Sequence, residues 1–162
     1  MKNWLLLSMA LIIGSISFAQ SENPPYKQNK KLPDFELQTV SKGTFKTAQL
    51  KKNTPVIIMF FSPGCDHCIH QFEAMKKRMN DFKKYEIVMP TYQPIEDLVA
   101  FDKKYQLEKY PNIITGRDVN YFFPPFYEIS NFPFLAFYDK GGKYINSHTG
   151  NMTVDEMLKN FK

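Results

Sequence analysis

The tightest constraint on this chain is the apolar run Val56-Ile57-Ile58-Met59-Phe60-Phe61, which stops at Ser62-Pro63-Gly64 and passes into Cys65-Asp66-His67-Cys68. A continuous apolar run this short, β-branched at first, fits a central strand buried on both faces. Beyond the cysteines, Ile69, Phe72, Met75, Met79 and Phe82 recur at spacings of three and four, with lysines on the opposite side. That spacing predicts an amphipathic helix. The only two cysteines of the chain therefore sit where a buried strand turns into a helix. Thiols three residues apart there can form and break a disulfide without large backbone motion. Cys65 falls at the helix N-terminus, where free amides and the dipole favour a thiolate. The pattern reads as thiol–disulfide exchange chemistry.

The redox compartment follows from the N-terminus. Met1-Lys2-Asn3 is a short positive region, and residues 4–18 are mostly apolar. That stretch is roughly 15 residues long, short of the ~20 needed to span a bilayer. Ser17-Phe18-Ala19 offers small residues before Gln20. Residues 1–19 thus read as a secretory signal peptide, cleaved after Ala19, with an uncleaved anchor as the alternative. The expected location is the periplasm or another extracytoplasmic space, with no stable membrane span after cleavage. A disulfide persists there. One closing so small a loop removes little unfolded-chain entropy, which argues against a purely structural pair. A zinc site needs about four ligands, and the nearby candidates beyond the thiols are only Asp66, His67 and His70. No metal and no cofactor are expected. The net charge of +5 is mild and dispersed, so nucleic acid is not an expected partner.

Residues 20–31 are polar, with Pro24-Pro25 and several lysines, and read as an extended, flexible leader. Residues 32–162 read as one domain. Phe35 and Leu37 alternate with polar neighbours as a short strand, and Phe45 belongs to a second. Residues 48–52 suggest a helical turn. Residues 85–89 form the next strand. Pro94 suits the first turn of a helix with Ile95, Leu98, Val99 and Tyr105 on its apolar face. Residues 112–115 are a weaker strand, and 118–127 are ambiguous because Pro124-Pro125 interrupts any long helix. Residues 134–138 form another buried strand. A turn at Asp139-Lys140-Gly141-Gly142 leads to an antiparallel return over 143–148. Thr153 and Glu156 make a capping box, stapled by Met152 and Met157, that starts the last helix. The order is β-α-β-α-β followed by a hairpin and a helix. It implies an α/β fold: a central mixed β-sheet with helices on both faces and a C-terminal β-hairpin plus helix.

Three features resemble the thioredoxin superfamily, and within it the exported TlpA/ResA-like thiol–disulfide oxidoreductases. They are Leu32-Pro33-Asp34-Phe35, the apolar strand running into Cys65-Asp66-His67-Cys68, and Phe132-Pro133 before the strand over 134–138. The resemblance implies a thioredoxin-like fold over residues 32–162 and a cis Pro133 opposite the cysteines. Phe132 and Pro133 would then bind substrate, with the Phe132 backbone pairing an extended segment as an added strand. The chain also departs from that pattern. Gly64 replaces the usual tryptophan, Met59 stands where a buried acid takes the second thiol's proton, and Glu73 replaces a helix-kinking proline. Gln71 stands where TlpA-like proteins often carry glutamate.

The expected chemistry is nucleophilic attack by Cys65 and resolution by the more buried Cys68. His67 and Asp66 tune the pair in opposite senses, since one can stabilise negative charge on Cys65 and the other is a carboxylate. The direction of electron flow stays open, with a slight lean to reductase. Partners would be protein thiols or disulfides and an upstream redox partner. Two alternatives stand beside this reading. A peroxidase of the related peroxiredoxin group is disfavoured, because Ser62-Pro63-Gly64 lacks the threonine such a loop needs. The other is a non-catalytic thioredoxin-like module that binds a metal or a protein. Glu73 and His70 read as surface residues, and the aromatic cluster at 121–127 as core packing, with a partner groove as the other option.

Overall fold

A computed structural model describes residues 23–162. The signal-peptide reading of residues 1–19 lies outside these, as does the start of the leader. The elements run in the order α1 (Pro25–Asn29), β1 (Glu36–Gln38), β2 (Thr44–Lys46), β3 (Val56–Phe60), α2 (Asp66–Lys77), β4 (Glu86–Thr91), α3 (Ile95–Tyr105), β5 (Ile113–Arg117), α4 (Phe123–Tyr127), β6 (Phe134–Tyr138), β7 (Tyr144–Thr149) and α5 (Val154–Lys159). The strands form one mixed sheet in the order β2-β1-β5-β4-β3-β6-β7. Strands β3, β4 and β5 are parallel neighbours, and β6 runs antiparallel beside β3. Strand β3 is buried along its whole length, as its apolar run requires.

Alternation along β3 divides the core in two. Ile57, Met59 and Phe61 face α2, α3 and α5 through Phe72, Met75, Leu98, Phe101, Val154 and Met157. Val56, Ile58 and Phe60 face the other layer, where Tyr26 of α1 and Phe123 and Tyr127 of α4 pack with Phe35 and Leu37. Helices therefore cover both faces of a thioredoxin-like α/β sheet. Burying a side chain of this kind contributes ~1.5–3 kcal/mol, so the dense β3 contacts make the strand before the cysteines a rigid base.

The structure departs from the sequence reading at several places. The leader is helical over Pro25–Asn29 rather than extended, because Tyr26 packs against Tyr127 and Tyr144 at ring separations of 5.1 and 5.3 Å. Helix α2 ends at Lys77, and Met79–Phe82 continue as a tighter 3₁₀ turn that still buries Met79 and Phe82. On α3 the buried face carries Phe101, whereas Val99 is 44% exposed. Strand β4 extends through Pro90 to Thr91; Pro90 lacks a donor but its carbonyl accepts from the Phe61 N–H at 3.1 Å. The ambiguous stretch resolves into five-residue α4, whose first turn holds the prolines. The Asp118 carboxylate starts it by accepting from the Phe122 and Phe123 N–H groups, both at 2.9 Å. In the β6–β7 turn, Gly142 takes φ +74°, a conformation that favours glycine.

Candidate functional site

The site lies at the end of the sheet where β3 delivers its chain into α2. Cys65 is the N-cap of α2, with extended backbone angles of −90° and 119°. Its N–H donates to the Ser62 carbonyl at 3.1 Å, and its own carbonyl accepts the first helical bond, from Ile69 N–H at 2.9 Å. The amides of Asp66, His67 and Cys68 therefore have no carbonyl partner within the helix and are directed toward the N-cap. Cys65 is half-buried, whereas Cys68 has no exposed surface and belongs to the α2–α3 core with Met59 and Phe72. Both are free thiols.

The two sulfurs differ in their electrostatics. Burial pushes the Cys68 thiol up to about 12, opposed in part by the Ser62 backbone and reinforced by its hydrogen bond with Cys65. Met59 occupies the same core face, so an apolar thioether stands where a carboxylate would accept a proton. Glu73 is no substitute: its carboxylate accepts from the Tyr105 hydroxyl at 2.9 Å, which fixes it toward α3. Asp66 and His67 are both exposed on the first turn. They flank the thiols without entering the core.

Pairing of β6 with β3 places the second wall. Phe60 stands opposite Phe134, so Phe132-Pro133 enters the sheet at the end where residues 62–65 leave it. The Phe132–Pro133 peptide bond is cis. Pro133 is buried and Phe132 half-buried, its ring 5.7 Å from Phe60 and 6.0 Å from Tyr92. Neither the N–H nor the C=O of Phe132 makes a hydrogen bond among the described residues. Tyr121, 57% exposed, extends this aromatic row from Tyr92 at 5.7 Å. Phe123 and Tyr127 of the 121–127 cluster are core instead, both fully buried.

A third part of the site comes from the loop at 150–153. The Asn151 side-chain amide donates to the His67 carbonyl at 2.8 Å. Met152 N–H donates to Gln71 Oε1 at 2.8 Å, and Gln71 Nε2 donates to Met157 Sδ at 3.3 Å. Gln71 is thereby buried with both ends of its amide occupied. His148, without an evident partner in sequence, has its Nε2 3.2 Å from the Asn151 carbonyl oxygen. His70 is exposed at the edge of the shallow hollow that Gln71, Asn151 and Glu156 line. Sequence reasoning missed Asn151 as a site residue, because no local pattern connects it to a turn 84 residues away.

At Gly64, a Cβ atom would meet nothing within 4 Å. Gly64 thus borders an open hollow together with Pro63, Asp97 and Phe101. Among the described residues, no helix is long and apolar enough to cross a membrane.

Comparison with known proteins gives a consistent picture. The AhpC/TSA family matches residues 29–149. Protein disulfide isomerase-like 2-1 of Oryza sativa subsp. japonica is 27% identical over 116 residues, which are 72% of this chain and 26% of that protein. The chain spans about a quarter of the length of the curated relatives it matches. A secreted Mycobacterium tuberculosis disulfide oxidoreductase homologous to E. coli DsbE shares the fold, with a TM-score of 0.63 at 22% identity, covering 78% of this chain and 92% of that one. So does a thiol-disulfide oxidoreductase from Bacteroides fragilis, with a TM-score of 0.65 at 17% identity, covering 80% of this chain and 98% of that one.

Proposed function

The chain belongs to the AhpC/TSA family, and on that premise we propose that it is an exported thiol–disulfide oxidoreductase that exchanges disulfides with protein partners through Cys65 and Cys68. The observation that carries the proposal is the asymmetry of the pair. Cys65, half-exposed, stands at the N-cap position of α2, and a fully enclosed thiol lies one turn behind it. The apolar N-terminal run supports export.

The Cys65 thiolate attacks one sulfur of a partner disulfide. The partner's S–S bond breaks, its second sulfur leaves as a thiolate, and a Cys65–partner mixed disulfide forms. Cys68 then gives up its proton and attacks Cys65 Sγ. The Cys65–Cys68 disulfide forms, the partner's first sulfur departs, and two electrons have passed to the partner. Met59, in the same core cluster as Cys68, cannot take that proton and Glu73 is engaged by Tyr105, so the base is the partner thiolate released in the first step. The free N–H and C=O of Phe132 can pair an extended partner segment as an added strand beside Pro133. Asp66 and His67 set the charge around Cys65 from the exposed side.

The raised Cys68 thiol supports the reducing direction. A thiol that ionises reluctantly holds its disulfide more firmly, so the pair tends to give electrons rather than take them. The test is a redox titration of the protein against glutathione, followed by thiol labelling, together with insulin reduction. A two-electron transition that disappears in Cys65→Ser is the expected result. No transition, with tight stoichiometric metal binding instead, would replace this proposal with the binding-module reading.

A further inference from the structure

The loop at 150–153 touches both walls of the site. On one side, the Gly150 N–H donates to the carbonyl of Pro133 at 2.8 Å. On the other, the Asn151 side chain donates to the carbonyl of His67 at 2.8 Å, and Met152 N–H to buried Gln71 at 2.8 Å. Three consecutive residues thus tie the Pro133 wall to the first and second turns of α2. The His148 ring, 3.2 Å from the Asn151 carbonyl oxygen, braces the loop from β7. Gly150 permits the geometry at φ +94°, a conformation that side-chain-bearing residues rarely adopt.

From these contacts we infer that Asn151 is a positioning residue for the dithiol: it registers the α2 first turn against Pro133 and strengthens the positive end of the helix on which Cys65 sits. The inference rests on the oxidoreductase reading above. The His67 carbonyl and the Cys68 N–H belong to one peptide unit. A hydrogen bond donated to that carbonyl polarises the unit and makes its N–H a stronger donor. The Cys68 N–H has no carbonyl partner in the helix, because the first intrahelical bond is Ile69 to Cys65. Cys65 is the N-cap and its side chain makes no cap hydrogen bond, so its sulfur feels this amide as part of the positive end of the helix. Asn151 therefore stabilises negative charge on Cys65, which exists only in the dithiol form. Its removal shifts the couple toward the disulfide.

The same glutathione titration tests this on the full chain, comparing wild type with Asn151→Leu. Leucine keeps the approximate size but donates no hydrogen bond. The control is Asn146→Ala, which removes another loop-distal tie, the bond from Asn146 to Asn160 at 3.2 Å, without touching α2. Asn151→Leu should favour the disulfide about threefold over wild type, or ~14 mV at 29.6 mV per tenfold change, with Asn146→Ala unchanged. An Asn151→Leu couple equal to wild type, or displaced toward the dithiol, would overturn the inference. So would an equal displacement in Asn146→Ala, since that would mark a general loosening of the region. If wild type itself shows no two-electron transition, the oxidoreductase reading fails and the role of Asn151 fails with it.

Discussion

Alkylation of the reduced protein should separate the two cysteines by a wide margin. The perturbation is iodoacetamide at pH 7, followed by the same reaction at stepwise higher pH. Only thiolates react. A thiol held at about 12 by burial is ionised to roughly one part in 10⁵ at pH 7. An unperturbed cysteine, at 9.0, is about 1% ionised there. Ionisation alone therefore makes Cys68 ~1,000-fold less reactive than an ordinary thiol, and its burial in the same core cluster as Met59 and Phe72 blocks the reagent further. Cys65, half-exposed on the N-cap, is open to the reagent. Peptide mapping by mass spectrometry at limited reagent should find the label on Cys65 alone. Cys68 should become reactive only as the pH approaches 11 to 12 or after denaturation. Equal labelling of both cysteines at pH 7, or label on Cys68 first, would refute the assignment of Cys65 as nucleophile and Cys68 as the buried partner.

Cys68→Ser should abolish turnover but accumulate a covalent Cys65–partner adduct that reductant releases, visible on non-reducing gels. The reduced protein should lose stability between pH 9 and 12. Folding raises the Cys68 value above its unfolded one of 9.0, so in that window the unfolded chain releases a proton that the native state retains. Three units of displacement set an upper bound of about 4 kcal/mol, read by urea melts at each pH. Gly116→Ala should cost ~1–3 kcal/mol in the same melts, because its Cβ would lie 2.5 Å from Leu37 Cβ across the β1–β5 contact. Thr153→Ala should cost ~1 kcal/mol by removing the acceptor for the Glu156 N–H at the start of α5.

Much of the architecture could be read from local pattern. The run through Phe61 is continuous because β3 is covered on both faces. The Thr153–Glu156 box begins α5 because its two reciprocal bonds use neighbours three residues apart. Other features could not be read this way. The polarity of residues 20–31 suggested a mobile leader, yet one residue, Tyr26, finds a pocket among Tyr127, Phe134 and Tyr144 and orders the helix. The sequence puts Val99 on the apolar face of α3 with Ile95, Leu98 and Tyr105, whereas the approach of Phe61 and Phe72 turns Phe101 inside and leaves Val99 44% exposed.

The same division runs through the site. The spacing of Cys65 and Cys68, and their place between an apolar run and a helical period, depend on residues close in sequence. They determined by themselves that two thiols share the first turn of a helix. Everything that makes those thiols unlike each other is tertiary. Cys68 is enclosed by residues from β3 and α2, Glu73 is drawn to Tyr105 on α3, and the turn is held to Pro133 by Gly150 and Asn151. Desolvation and hydrogen bonds between distant segments arise only when the sheet assembles. The spacing of the cysteines points to the proposed chemistry, and the packing around them leaves Cys65 half-exposed and Cys68 buried.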